Sequence, residues 1–369
     1  MTLRVTGKVV TPTGVIRQGC VEIVGDRIRA VAEYPSVRDG HWIVPGFVDM
    51  HTHGGGGHTF TTGDADSARE AAAFHLRHGT TTLLASLVSS PFELMRDATA
   101  AFRPLVESGV LAGIHFEGPY LSADRCGAQN PEFLRDPSTE ELAELIELGG
   151  GAVRMVTLAP ERAGALAAIE LLVSRGVVAA VGHTDATWQQ TRAAVAAGAS
   201  VGTHLFNGMR PVHHREPGPV AALLDSPNVV CELVADGVHL HDGMLGFATW
   251  VAGPERAALI TDAMAAAGMP DGEYELGGQV VTVVDGVARL SRDGAIAGST
   301  LTMDAALRHA VAAGIALPDA ARMVATTPAR AIGLGDRLGA LQTGLRADLV
   351  VLDDDLNVVR VMRAGAWLE

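Results

Sequence analysis

Apolar positions along the chain follow two rhythms. Near the start, "LRVTGKVVTPTG" and "GCVEIVGDRIRAVAE" alternate in strand fashion between glycine turns. Near the end, "GLRADLVVLDDDLNVVRVMRAGAWL" reads as three more short strands. Neither end carries a convincing helix, so 1–44 and 336–369 are expected to form one small β-sandwich domain from both termini. Between them, short apolar runs recur: "WIVPGFVDM", "TTTLLASLVS", "VLAGIHFEG", "AVRMVTLAP", "GVVAAVGHT", "ASVGTHL", "NVVCELVADGV" and "RAALITDA". Alanine-rich helical stretches over 65–78, 91–108, 138–148, 162–175 and 187–197 lie between them. Strands alternating with helices in this way predict an α/β fold, a TIM-like (β/α)8 barrel over 45–335. An open doubly wound sheet is the other reading of the same alternation. After the last run, "EYELGGQVVTVVDGVARLSRDGAIAG" breaks the pattern and predicts a β-rich insertion around 272–297.

Composition narrows the function classes. The chain has 369 residues, 48% hydrophobic and 19% charged, which excludes wholesale disorder. Its 28 basic and 42 acidic residues give a net charge of −14, a poor match to nucleic acid or an anionic membrane. A small anionic substrate remains compatible, because local arginines outweigh a distant acidic surface. The three cysteines, Cys20, Cys126 and Cys231, are scattered, which argues against a disulfide framework or a cysteine zinc site. The N-terminus is strand-like without a signal-peptide core, and no run nears the ~18 apolar residues of a membrane span. A cytoplasmic enzyme is the expectation.

Barrel enzymes place their chemistry at the C-terminal ends of the strands. The first strand ends in Asp49, His51 and His53; residues two apart in an extended segment share a side, so both histidines can reach one ion. The third ends in Glu117, with His115 one step deeper. The fifth ends in His183, the sixth in His204 and the eighth in Asp262. Each of these alone has an ordinary structural reading, and H-x-H is a weak signal. Their placement on one rim points to a divalent metal, with zinc the first choice and iron or manganese also suited.

These residues also carry a resemblance. "PGFVDMHTHGGGG", "HFEGPYLS", "VGHTDA", "THLFNGM", "ADGVHL", "TDAMAAAG", "AGSTLTMDAAL" and "GLRADLVVLD" resemble the amidohydrolase superfamily, and within it the N-acetylglucosamine-6-phosphate deacetylases. The resemblance implies metal-dependent hydrolysis of a phosphorylated N-acetyl amino sugar to the free amine and acetate, in amino-sugar recycling. Many superfamily members bridge two metals with a carboxylated lysine from inside the barrel. Here Lys8 is the only lysine and precedes the barrel, so a carboxylate must take that place, and Glu117 is the candidate.

The resemblance further implies that Glu117, His183 and His204 hold one metal. His51 and His53, with Glu117 bridging, would hold a second, giving one or two ions per subunit. Asp262 would be the general base and a metal neighbour, taking a proton from water and returning it to the leaving amine. His239 would bind the sugar and orient or polarise the acetyl carbonyl. Asn207 and Gly208, at a tight turn, and Arg215, in "HHREPG", would bind phosphate, the arginine reaching across a homodimer interface. Arg210 and His213 lie close by and are not ranked. After the third strand many relatives read G-x-H-N-P, where this chain reads "RCGAQNP". Gln129 and Cys126 therefore become candidate substrate contacts of that loop. Two competing functions are weighed: a deaminase or deacylase of the same superfamily acting on another small substrate, and a catalytically dead barrel.

Overall fold

The computed structural model describes residues 2–36 and 40–369. Eight parallel strands follow one another round a barrel in chain order: Phe47–Thr52, Thr80–Leu87, Gly113–Glu117, Val153–Leu158, Val178–Val181, Val201–Gly202, Val230–Val234 and Ala257–Ile260. The seven pairings between successive strands are parallel ladders, with register shifts in the first and the third. The seam between the first and last strands closes differently. There the Asp262 N–H donates to the His51 carbonyl at 2.9 Å, and the His53 N–H to the Ala263 carbonyl at 2.7 Å. Buried Asp49 completes the closure by accepting from the Thr261 hydroxyl at 2.6 Å.

Helices over Ala65–Arg77, Phe92–Glu107, Thr139–Gly149, Ala165–Ser174, Trp188–Ala196, Gly218–Asp225, Asp242–Ala252 and Met303–Ala312 cover the outside of the barrel. Several start on side-chain caps that replace missing backbone partners. Asp64 accepts from the Ser67 N–H at 2.6 Å, and Thr187 and Gln190 form a reciprocal capping box. Alanines such as Ala68 and Ala71 face the strands, and their small size lets the helices sit close against the sheet.

Strands from both chain ends form one seven-stranded sheet. Its order is Ala366–Trp367, Val358–Arg363, Leu349–Leu352, Trp42–Pro45, Thr2–Thr11, Gly14–Val24, Arg27–Glu33. It closes on its own apolar cluster, which includes Val9, Val21, Ile43, Leu349 and Met362. Lys8 belongs to this sheet, where it pairs with Asp354 at 2.6 Å and stacks on Trp42.

One expected strand divides. "WIVPGFVDM" reads as a single apolar run, yet Trp42–Pro45 joins the terminal sheet and only Phe47–Thr52 enters the barrel. Gly46 makes the break. A Cβ there would lie 2.4 Å from Thr81 Oγ1 and 2.8 Å from Asp348 Cβ, so only glycine fits where the two sheets pass. The insertion is a three-stranded antiparallel sheet, Gly272–Leu276, Gln279–Val284 and Val287–Leu290. Gln279 ties it to the loop after the third barrel strand by donating to the Ala128 carbonyl at 2.5 Å.

Candidate metal centre and active site

All six expected metal-side residues meet at the C-terminal mouth of the barrel and are buried. They form two clusters whose ligand atoms lie within 4.8 Å of one another: His51, His53 and Asp262, and Glu117, His183 and His204. Glu117 joins the two. Its Oε1 lies 2.8 Å from His204 Nε2 and 3.0 Å from His183 Nε2, while its Oε2 lies 3.3 Å from His53 Nε2. Asp262 Oδ1 stands 3.2 Å from His53 Nε2 and 3.6 Å from His51 Nε2.

The backbone is bent to bring these groups inward. His183, His204 and Asp262 all have positive φ, at 45°, 25° and 50°. Non-glycine residues pay about 1–3 kcal/mol each for such conformations, and they persist where the surroundings impose them. At Asp262 the surroundings are visible: its N–H is tied to the His51 carbonyl, and its own carbonyl accepts from the Ser299 N–H at 2.7 Å.

The donor chemistry fits a divalent cation. His51 Nδ1 lies 3.0 Å from Glu232 Oε2, His53 Nδ1 lies 3.1 Å from the Ser86 carbonyl, and His183 Nδ1 lies 2.8 Å from the Arg125 carbonyl. These acceptors hold the proton on Nδ1, so each Nε2 presents a lone pair to the centre. Nε2 atoms consequently face each other, His51 to His53 at 3.2 Å and His183 to His204 at 3.1 Å. Between His51 and His53, whose Nδ1 atoms both have acceptors, two lone pairs at that distance repel unless a cation lies between them.

Electrostatics gives the same answer. Burial opposes charge on His51, yet Glu232, Glu117 and Asp262 overcome it and lift the imidazole well above its usual range. Burial likewise opposes charge on His53, and hydrogen bonds to Asp262 and Glu117 lift it to about 9. Glu117 and Asp262 are held below the ordinary carboxylate range, against burial, by the neighbouring imidazoles. The carboxylates thus draw positive charge into a buried site, and a divalent ion supplies it with the imidazoles neutral.

Residues 42–368 match the Amidohydrolase family. The chain belongs to this family. It is 36% identical to the N-acetylglucosamine-6-phosphate deacetylase of Lysinibacillus sphaericus, over 95% of this chain and 91% of that one. It is 38% identical to the N-acetylgalactosamine-6-phosphate deacetylase of Escherichia coli O157:H7, over 97% of each. Among solved structures, an aspartate-to-alanine variant of N-acetyl-D-glucosamine-6-phosphate deacetylase from Mycobacterium smegmatis, in complex with N-acetyl-D-glucosamine-6-phosphate, superposes with a TM-score of 0.96. That protein is 49% identical, with 99% of each chain covered.

Above the metal-side residues of this amidohydrolase opens a cavity of about 210 Å³. Gln129, Asn207, Gly208 and His239 line it, as do Leu276 and Ile296 at the insertion. His239 Nδ1 contacts Asp236 Oδ2 at 2.6 Å, and its Nε2 lies 3.9 Å from Asp262 Oδ2. Burial disfavours the imidazolium, but the hydrogen bond and charge of Asp236 raise the His239 pKa above its usual value. Gln129 is buried, and it donates to Glu117 Oε2 at 2.7 Å while accepting from the Ser89 N–H at 2.6 Å. It therefore touches a metal-side carboxylate directly.

Two expected contacts lie elsewhere. Cys126 is half-buried beside the 3-10 turn Ala123–Arg125 and does not line the cavity; its Sγ lies 4.0 Å from the Gly127 carbonyl. Arg215 is exposed on the 211–216 loop, its guanidinium 2.7 Å from His214 Nε2, outside this chain's own cavity. Arg210, unranked from sequence, pairs with Asp185 at 2.5 Å, as Arg125 does at 2.8 Å.

The glycine run after His53 is a two-residue hairpin joining Gly54–Gly55 to His58–Thr59. A Cβ on Gly55 would lie 2.6 Å from Phe74 and 2.7 Å from His75. The run is glycine because a helix packs against it, and it stays clear of the cavity lining. His75 sits directly behind this hairpin, 2.9 Å from the Gly54 carbonyl.

Sequence reasoning passed over Glu232 and Asp236. Glu232 is fully buried in the seventh strand; besides contacting His51 Nδ1 it accepts from the His204 N–H at 3.1 Å. A carboxylate inside the apolar run "VVCELVA" was the available signal, because a buried charge demands partners.

Proposed function

We propose that the chain hydrolyses the acetamide of N-acetyl-D-glucosamine 6-phosphate, giving D-glucosamine 6-phosphate and acetate, in amino-sugar recycling. The observation that carries this reading is the pair of three-residue clusters sharing Glu117 on the floor of a cavity flanked by His239. Glu117, His183 and His204 would hold one divalent ion, and His51, His53 and Asp262, with Glu117 bridging, a second; zinc suits the mixed nitrogen and oxygen donors. When bound, such ions supply Lewis-acid polarisation and lower the pKa of a water nucleophile.

The remaining steps belong to this chain's side chains. Asp262, ionised at neutral pH, accepts the proton of the attacking water and returns it to the sugar nitrogen as the C–N bond breaks. His239, charged through Asp236, donates a hydrogen bond from Nε2 to the acetyl oxygen as negative charge develops there. Asn207 and Gly208 contact the phosphate side of the substrate. Arg215 completes that contact from a second copy in a homodimer. We further assign 1–44 with 336–369 to the small domain and 45–335 to the catalytic unit, and place the enzyme in the cytoplasm. No helix among the described residues is long and apolar enough to cross a membrane.

A second reading, deacetylation of N-acetyl-D-galactosamine 6-phosphate, draws on the relative from Escherichia coli O157:H7. Steady-state kinetics on both 6-phosphates, and on the unphosphorylated sugars, separates the two. The proposal expects the highest kcat/KM with the gluco 6-phosphate. A higher value with the galacto epimer would establish the second reading, and absence of turnover with either would reject both.

A further inference from the structure

The opposite, N-terminal face of the barrel carries another cleft, of about 120 Å³. It lies between the starts of the second, third and fourth barrel strands and the segments leading into and out of the last strands of the terminal sheet. Four arginines line it: Arg154, Arg337, Arg346 and Arg363. In a chain of net charge −14 this is a marked local excess of positive charge. Among the described residues, the one carboxylate ion-paired with any of the four is Asp348, 2.5 Å from Arg346.

Two of the arginines have structural work. Arg346 also donates to Thr82 Oγ1 at 2.8 Å, and Arg363 donates to the Gly109 and Val110 carbonyls. Together they clasp the terminal sheet to the barrel. That role does not extend to Arg154 or Arg337, whose guanidinium groups have no hydrogen-bond or ion-pair partner among the described residues. Arg154 Nε is buried without a partner, and a buried unpaired donor among like charges is unfavourable. Arg363 registers the crowding: burial first, then the charge of Arg346, hold its pKa below the usual guanidinium value.

We propose that this cleft is a binding site for a phosphoryl group, borne by inorganic phosphate or by a sugar phosphate, with Arg154 and Arg337 supplying the free donors. Planar guanidinium forks match phosphate oxygens two at a time, which suits a tetrahedral dianion shared among several arginines. The cleft volume of about 120 Å³ accommodates several waters, enough for a phosphoryl group. Occupancy would link Arg154 of the fourth barrel strand to the chain leading into the terminal sheet, reinforcing the clasp.

The test is equilibrium dialysis of the metal-loaded full chain against radiolabelled inorganic phosphate at fixed ionic strength. The wild type is compared with Arg154→Gln, Arg337→Gln, the double variant and Arg154→Lys. The wild type should bind one phosphate more than the double variant, and each single glutamine variant should weaken that site by about tenfold. Deacetylase kcat/KM should stay within about twofold of wild type, since neither residue lies near the catalytic mouth. Displacement of the extra phosphate by glucose 6-phosphate would identify a sugar phosphate as the source, and resistance to it the free ion. Equal phosphate binding by wild type and double variant overturns the proposal. Should the double variant fail to fold, Arg154→Lys decides: it keeps the charge but loses the fork, and wild-type affinity in that variant also overturns it.

Discussion

Glu232 Oε2 lies 3.0 Å from His51 Nδ1 and 3.1 Å from the His204 backbone N–H, so one buried carboxylate braces both halves of the metal centre. It fixes the His51 tautomer and holds the sixth strand end in place. Carboxylate–histidine–metal arrangements of this kind typically contribute about 10–100-fold to metal affinity. Glu232→Gln should therefore lower metal affinity by that factor while leaving the circular-dichroism spectrum unchanged. Elemental analysis after dialysis against graded chelator measures it; unaltered retention would remove Glu232 from the metal centre.

Asp262→Asn tests the proton-transfer assignment. Loss of a general base typically costs about 10²–10⁴ in rate, and kcat should fall at least that far. The Glu117, His183 and His204 cluster should still take up metal, because Asp262 does not belong to it. Near-wild-type turnover would reject the role.

Arg215 gives a test that also reads the oligomeric state. Arg215→Ala should raise KM for the 6-phosphate and leave turnover of the unphosphorylated sugar little changed. If the arginine serves the neighbouring copy's cavity, mixing Arg215→Ala chains with Asp262→Asn chains should restore activity. Hybrid dimers then contain one site with both groups intact. Mixtures no more active than their separate components would place Arg215 outside the partner's site.

His75 sets a pH prediction for stability. Burial drives its pKa from the ordinary 6.5 down to about 4, so the folded protein keeps it neutral where the unfolded chain would protonate it. Its contribution is fully present above pH 6.5 and is lost as pH falls towards 4, at a slope of about 1.4 kcal/mol per pH unit from this one group. His75→Gln retains a donor for the Gly54 carbonyl but does not titrate. Urea unfolding between those pH values should show a flatter slope for the variant by roughly one proton. Parallel slopes would contradict the assignment.

Much of this fold and site was legible in the sequence. Apolar runs separated by alanine-rich helices located every barrel strand, because parallel strands buried on both faces must be continuously apolar. The six metal-side residues were readable because histidine and carboxylate at strand ends have few other uses in such number. What sequence left hidden depended on contacts between distant segments. Glu232 acts through His51 and the His204 backbone, which only folding brings near, and Gln129 reaches Glu117 through a loop whose path no periodicity encodes. The division of "WIVPGFVDM" at Gly46 was hidden because both halves are equally apolar. The packing behind the glycine run was hidden for a related reason: its partner, the Phe74 face of a helix, lies outside the local window.

The seam of the barrel has a consequence for biosynthesis. Strands one and eight are joined by bonds from His51, His53 and Asp262, the same residues that form one of the two clusters. A nascent chain therefore cannot assemble that cluster until the ribosome has released residues more than two hundred positions after His53. Were this cluster to hold an ion, its uptake would report that the ring has closed, and a truncated or mis-threaded chain would be marked by its failure to retain it.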